Sequence, residues 1–121
     1  MESYFFDTYA LVEIVKGNEK YAKYKYVRPI ITIFNLVEIH YALLRDLGRK
    51  IADMLIEKYA DYVVEVDKEI IKEANEFKMA NKNKKFSFAD AIGYITAQKY
   101  GVKFLTGDKQ FKGMKGVEFV K

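Results

Sequence analysis

Four acids stand where a strand-like stretch hands over to a helix-like one. Asp7 follows Tyr4-Phe5-Phe6, Glu38 lies early in the segment after Ile30-Ile31-Thr32-Ile33, Asp90 follows Ser87, and Asp108 follows Lys103-Phe104-Leu105. Each alone has a structural explanation. Asp7 and Asp108 suit helix N-caps, and Asn35-x-x-Glu38 and Ser87-x-x-Asp90 suit capping boxes or an acid favoured by the helix dipole. Together they raise a chemical possibility. The chain has no cysteine and one histidine, His40, which excludes disulfides, thiolate zinc sites, cysteine nucleophiles and His-rich metal sites. Several carboxylates on one sheet edge would be an all-oxygen site, and oxygen ligands suit Mg²⁺ or Mn²⁺. Such an ion keeps waters and accepts phosphate oxygens, the arrangement of metal-assisted phosphodiester hydrolysis.

Two of the acids sit in costly places. Asp90 belongs to Phe88-Ala89-Asp90-Ala91-Ile92-Gly93-Tyr94-Ile95-Thr96-Ala97, apolar or small almost all round. Such a helix is buried on most sides. A buried carboxylate with no Lys or Arg beside it is expensive, and a cation is one way to offset that expense. Asp7 follows three aromatics and has no basic residue near it before Lys16.

The elements that must position these acids alternate along the chain. Tyr4–Phe6 reads as a buried strand and Tyr9–Val15 as an amphipathic helix, broken by Gly17-Asn18. Residues 19–26 read as a short helix, and Pro29 suits the start of a second strand over 30–33. From Asn35 the period turns helical, with Leu36, Ile39, Leu43 and Leu47 as a stripe widened by Val37 and Leu44, up to Gly48. Residues 49–59 give a further helix with Ile51, Met54 and Leu55 inward. Tyr62–Val66 reads as a third strand. Asp67 caps a helix from Lys68 to about Asn81, with Ile70, Ile71, Ala74 and Phe77 as its apolar face. Asn81–Lys85 is an exposed loop, and Ser87 opens a helix to Tyr100 that Gly101 ends. Lys103–Leu105 is the fourth strand, Thr106-Gly107-Asp108 a turn, and Val117–Val120 a fifth strand. Strands alternating with helices call for a parallel sheet covered on both faces. In an open sheet of this kind, ligands gather at the carboxyl ends of the strands.

The 121 residues fit one domain with a single core. No apolar run is long enough to span a bilayer and no secretory leader is evident, so the expected location is cytoplasmic, without a membrane. Charge is unevenly spread: residues 1–80 carry net −2 and residues 81–121 net +6. A basic final third suits a polyanion such as nucleic acid, although a solvated lysine surface is the simpler explanation, since a small excess of Lys is common.

The motifs, taken in order, carry a resemblance. They are Phe6-Asp7-Thr8, Leu36-Val37-Glu38-Ile39, Phe88-Ala89-Asp90-Ala91-Ile92 with Ala97, and Leu105-Thr106-Gly107-Asp108-x-x-Phe111. In order and spacing the chain resembles PIN-domain ribonucleases, above all the small VapC-type toxins of toxin–antitoxin pairs. The resemblance runs over essentially the whole chain. It implies an α/β fold of three layers, α/β/α, with a five-stranded, mainly parallel central sheet in a single domain, residues 1–121. It implies a metal-dependent endoribonuclease acting on RNA, using Mg²⁺ with Mn²⁺ able to substitute, held by Asp7, Glu38, Asp90 and Asp108. Thr106 would be a polar supporting residue of its turn. A homodimer and a cognate antitoxin would be the partners.

Other residues have weaker claims. Asn35, one turn before Glu38, can orient that carboxylate or cap the helix. Thr8 can reach the metal waters or serve the helix start. Lys82, Lys84 and Lys85 can touch RNA phosphates or be an ordinary solvated loop. Tyr94 belongs to the core, with a hydroxyl in reach of the acids. His40, two positions from Glu38, points away from it on a helix. Tyr21, Tyr24 and Tyr26, with the helices over 36–59, offer apolar surface for a dimer. Three rivals stay open: a PIN nuclease of RNA processing, a catalytically silent RNA-binding module, and a phosphate-handling receiver or phosphatase built on Asp7.

Overall fold

Period-two alternation in the first strand divides the core in two. In the computed structural model, which describes residues 3–121, β1 (Tyr4–Phe6) is buried on both faces. Tyr4 and Phe6 join one apolar cluster and Phe5 the other. Successive side chains of a strand point to opposite faces, so each face needs its own helical cover.

The first cover comes from α1 (Thr8–Val15), α2 (Ile33–Leu47) and α3 (Arg49–Ala60). Leu11, Leu36, Ile39, Leu43, Ala52 and Tyr59 pack with Phe6 and Leu105. The second comes from α4 (Lys68–Ala80) and α5 (Phe88–Lys99), whose Ile70, Ala74, Ile92 and Tyr94 pack on Phe5 and Phe104. The result is three layers. Phe5 and Phe104 stack with ring centres 5.6 Å apart. A Cβ on Gly93 would lie 2.7 Å from the Phe5 ring. Glycine there lets α5 lie directly on the sheet, and this fixes where Asp90 comes to rest.

Among the described residues the sheet has four strands, all parallel, in the order β2 (Pro29–Ile30), β1, β3 (Lys103–Thr106), β4 (Val117–Phe119). Five were expected. The β-branched run Tyr62–Val66 makes only an isolated bridge, Ile31 to Val63. At the open edge beside the two-residue β2 it has too little partner backbone to form a ladder. The central pair is β1 and β3, with Phe5 opposite Phe104 and Phe6 opposite Leu105. Asp7 and the Thr106-Gly107-Asp108 turn therefore leave the sheet side by side, and Asp7 N–H still donates to Leu105 O at 3.0 Å.

Several local expectations need correction. Residues 19–24 form a 3-10 helix, and α2 starts at Ile33, so the second strand is shorter than expected. Leu36, Ile39 and Leu43 are buried, but Val37, Leu44, Leu47, Met54 and Ile71 are exposed. The stripe is narrower because α2 and α3 pack chiefly on one another. Tyr21 and Tyr24 are buried, bonded through their hydroxyls to Val120 O and Glu118. They are core and supply no dimer surface; of that cluster only Tyr26, 91% exposed, faces outward.

Candidate active site

Three of the four acids, Asp7, Asp90 and Asp108, are held at the start of a helix or turn, where the capping role and the site position coincide. Asp7 is the N-cap of α1 and accepts the Thr8 N–H at 2.9 Å. Its other oxygen accepts the Thr106 hydroxyl at 2.7 Å. The residue is only 3% exposed. Asp90 closes the capping box of α5: Ser87 N–H donates to it at 2.8 Å, and its own N–H donates to Ser87 Oγ at 3.0 Å. Asp108 caps the 3-10 turn Lys109–Phe111 by accepting Gln110 N–H at 3.0 Å. Its N–H donates to Thr106 Oγ1 at 3.0 Å.

Glu38, on the second turn of α2, is oriented through a relay. Asn35 Nδ2 donates to Thr8 Oγ1 at 3.2 Å, and Thr8 Oγ1 donates to Glu38 Oε1 at 2.8 Å. Meanwhile Asn35 Oδ1 accepts the Thr32 N–H at 2.9 Å and its hydroxyl at 3.1 Å. Asn35 thus caps α2 and steers Glu38 at once. A wholly buried amide held at both ends keeps Thr8 in the rotamer that points its proton at the carboxylate.

Electrostatics shows that the acids feel one another. Burial pushes the Asp7 carboxyl up to about 8, helped by the charge of Asp90 and, less, of Glu38, against the bonds from Thr106 and Thr8. Burial also pushes Asp90 up to about 6, with Glu38 and Asp108 adding to the rise and Ser87 opposing it. Carboxylates that share a site raise one another in this way. Among the described residues, however, no three His, Cys, Asp or Glu side chains close into a ready-made metal shell. The donor set is all oxygen and mutually repulsive, with Asp7 buried and Glu38, Asp90 and Asp108 partly exposed. Its chemistry fits a hard divalent cation that keeps part of its water shell.

Other candidates fall elsewhere. His40 Nε2 pairs with Asp53 on α3 at 2.7 Å, away from the acids. The Tyr94 hydroxyl donates to Lys115 O at 2.5 Å and does not serve them. Lys82 and Lys85 are exposed. Lys84 is turned inward, its ammonium donating to Gln110 O at 2.6 Å and lying 3.7 Å from the Met114 sulfur.

Two residues make contacts that had no sequence signal. Gln110 joins the loop before α5 to the turn after β3. Its side-chain oxygen accepts Lys85 N–H, and its amide donates to Lys85 O at 3.3 Å. It therefore couples the segments that carry Asp90 and Asp108. Gly107 is the other. A Cβ there would meet the Tyr9 ring and the carbonyl oxygen of Val120, so only glycine lets the turn nest between α1 and the chain end. Both effects arise from contacts between segments distant in sequence, which local patterning does not encode.

A sequence profile of the PIN domain matches residues 4–117. No curated protein sequence matches significantly. Solved structures share the fold. VapC20 of Mycobacterium tuberculosis, described as a sarcin-ricin-loop-cleaving toxin, superposes with a TM-score of 0.79 at 20% identity, covering 98% of this chain and 100% of that one. A chain of a toxin–antitoxin complex from Klebsiella pneumoniae gives 0.74 at 19%, covering 96% of each. A chain of the DNA-bound VapBC complex from Salmonella typhimurium gives 0.70 at 15%, covering 99% and 98%.

Proposed function

Because this chain belongs to the PIN-domain family, we propose that it is a metal-dependent endoribonuclease that hydrolyses RNA phosphodiester bonds. One observation carries the reading. Asp7 is buried at the sheet edge beside Asp90 and Glu38, so that burial first and then the charge of Asp90 and, less, of Glu38 push its carboxyl up. A fold that keeps such a cluster sacrifices stability for it, and bound cation would offset that sacrifice.

In this reading Asp7, Glu38, Asp90 and Asp108 hold Mg²⁺, with Mn²⁺ able to substitute. Membership of the PIN-domain family supports a divalent metal at this site. The chemistry such an ion supplies is acidification of water and neutralisation of charge at phosphorus. The chain's own residues do the positioning. Thr106 fixes Asp7 and the Asp108 turn, Asn35 and Thr8 aim Glu38, and Ser87 fixes Asp90. Lys82 and Lys85 lie on the exposed loop before α5, where they can meet RNA phosphates.

The same reading makes the protein, as one domain over residues 1–121, the toxin of a type II toxin–antitoxin pair in the cytoplasm. It would be restrained by a cognate antitoxin and would act as a homodimer. The structures that share its fold include chains from such complexes, and among the described residues no helix is long and apolar enough to cross a membrane. The exposed side chains Ile33, Val37, Tyr41 and Leu44 on α2 supply apolar surface for a partner. The test is cleavage of RNA by the purified protein. It should appear with Mg²⁺ or Mn²⁺ and vanish in EDTA. Growth arrest on expression, relieved by the product of a short adjacent gene, would establish the toxin role; full cleavage in EDTA would refute the metal reading.

A further inference from the structure

Phe88 is out of keeping with its helix. From Ala89 to Ala97 the side chains of α5 are buried, Asp90 excepted, yet Phe88 is 61% exposed. The ring is not idle. Lys78 Nζ lies 5.1 Å from its centre and is fixed there by donating to Phe86 O at 2.6 Å. Around it Asn75, Lys78, Met79, Lys82 and Lys84 shape an open groove of about 520 Å³. The groove has three lysines and no acid. Lys84 is bonded inward and adds only charge, while Met79 and Lys82 are exposed.

We propose that Phe88 is a stacking platform for a nucleobase of single-stranded RNA, with Lys78 and Lys82 receiving the adjoining phosphates. The inference rests on the nuclease reading and names where the substrate strand leaves the acids. Phe88 lies two residues before Asp90, so the two side chains point to nearly opposite sides of one helix end. A strand with its scissile phosphate at Asp90 crosses the start of α5 to reach the ring. One exposed aromatic among lysines with no acid in the groove is the composition of a single-strand binding surface, because every base has a π-face and every linkage a negative charge. A protein partner's helix would instead want an apolar stripe longer than Met79 and Phe88 supply.

The experiment measures both binding and cleavage. A short RNA carrying 2-aminopurine is titrated onto Asp7→Asn protein, with and without Phe88→Ala, and cleavage is measured in the parent background. Phe88→Ala should weaken binding about tenfold, remove the fluorescence quenching, and raise KM while leaving kcat within about twofold. Phe88→Trp should restore all three. Lys78→Gln and Lys82→Gln should each lower the slope of log affinity against log salt by about 0.7. Unchanged RNA affinity and KM in Phe88→Ala, with fold retained by circular dichroism, overturns the proposal whether or not the protein cleaves RNA. Unchanged affinity together with loss of a dimer in sedimentation overturns it too and assigns the patch to a protein contact. If the parent binds RNA through Phe88 but cleaves none with any divalent ion, the platform stands and the nuclease reading fails.

Discussion

The hydroxyl of Thr106 donates to the buried Asp7 carboxylate at 2.7 Å, and the same oxygen accepts the N–H of Asp108 at 3.0 Å. One side chain at the end of β3, 99 positions from Asp7, thereby ties the first of the four candidate acids to the last. Replacing Thr106 with Val keeps the shape and removes both bonds. It should cost about 1–3 kcal/mol, because Asp7 loses a partner while buried, and should lower RNA cleavage at least tenfold. Thr106→Ser should keep most of both. Urea unfolding and initial cleavage rates are the checks; equal loss in Ser and Val would contradict the hydroxyl's role.

The acid cluster should destabilise the metal-free protein as pH rises. Asp7 holds its proton in the folded state up to about 8, whereas 3.8 is its ordinary value. Between these values the folded state binds more protons than the unfolded one, so stability falls with rising pH. The contribution is fully present below pH 3.8 and is lost through pH 8. Asp90, raised to about 6, adds a loss of the same sign between 3.8 and 6. Asp7→Asn removes the charge and keeps an acceptor for Thr8. In EDTA it should raise Tm by several degrees at pH 8, at about 4 °C per kcal/mol, and by little at pH 4. An equal shift at both pH values would contradict this.

The folding pattern was largely legible because three of the four candidate acids also do a local job. Asp7 and Asp108 stand at N-caps and Asp90 in a capping box, and these jobs leave short-range signatures. Burial of α5 was legible from its all-round apolar sequence. What escaped was non-local. A β-branched run at 62–66 suggested a strand, but strand formation needs a partner, and β2 offers two residues. The tyrosines at 21 and 24 looked amphipathic and are buried because the chain end supplies acceptors for their hydroxyls. Lys84 sat in a lysine-rich loop and turned inward for the same kind of reason.

Gln110 offers a test of the contacts that sequence did not announce. It spans the loop before α5 and the turn of Asp108 through its side chain, and its carbonyl takes the Lys84 ammonium. Gln110→Ala should cost about 1 kcal/mol and weaken Mn²⁺ binding severalfold by calorimetry, since the Asp90 and Asp108 segments are no longer stitched. Gln110→Glu should be no better, because it loses the donor to Lys85 O. Mn²⁺ affinity unchanged in Gln110→Ala would show that the two segments are positioned independently.

The central claim is that the four carboxylates form one catalytic site. The direct measurement is single-turnover RNA cleavage at saturating Mg²⁺ by the parent, Asp7→Asn and Asp90→Asn, with each fold checked by circular dichroism. The account predicts loss of at least a hundredfold in both variants, corresponding to about 2.7 kcal/mol of barrier. Asp90→Asn protein that is folded and cleaves RNA at the parent rate would contradict it.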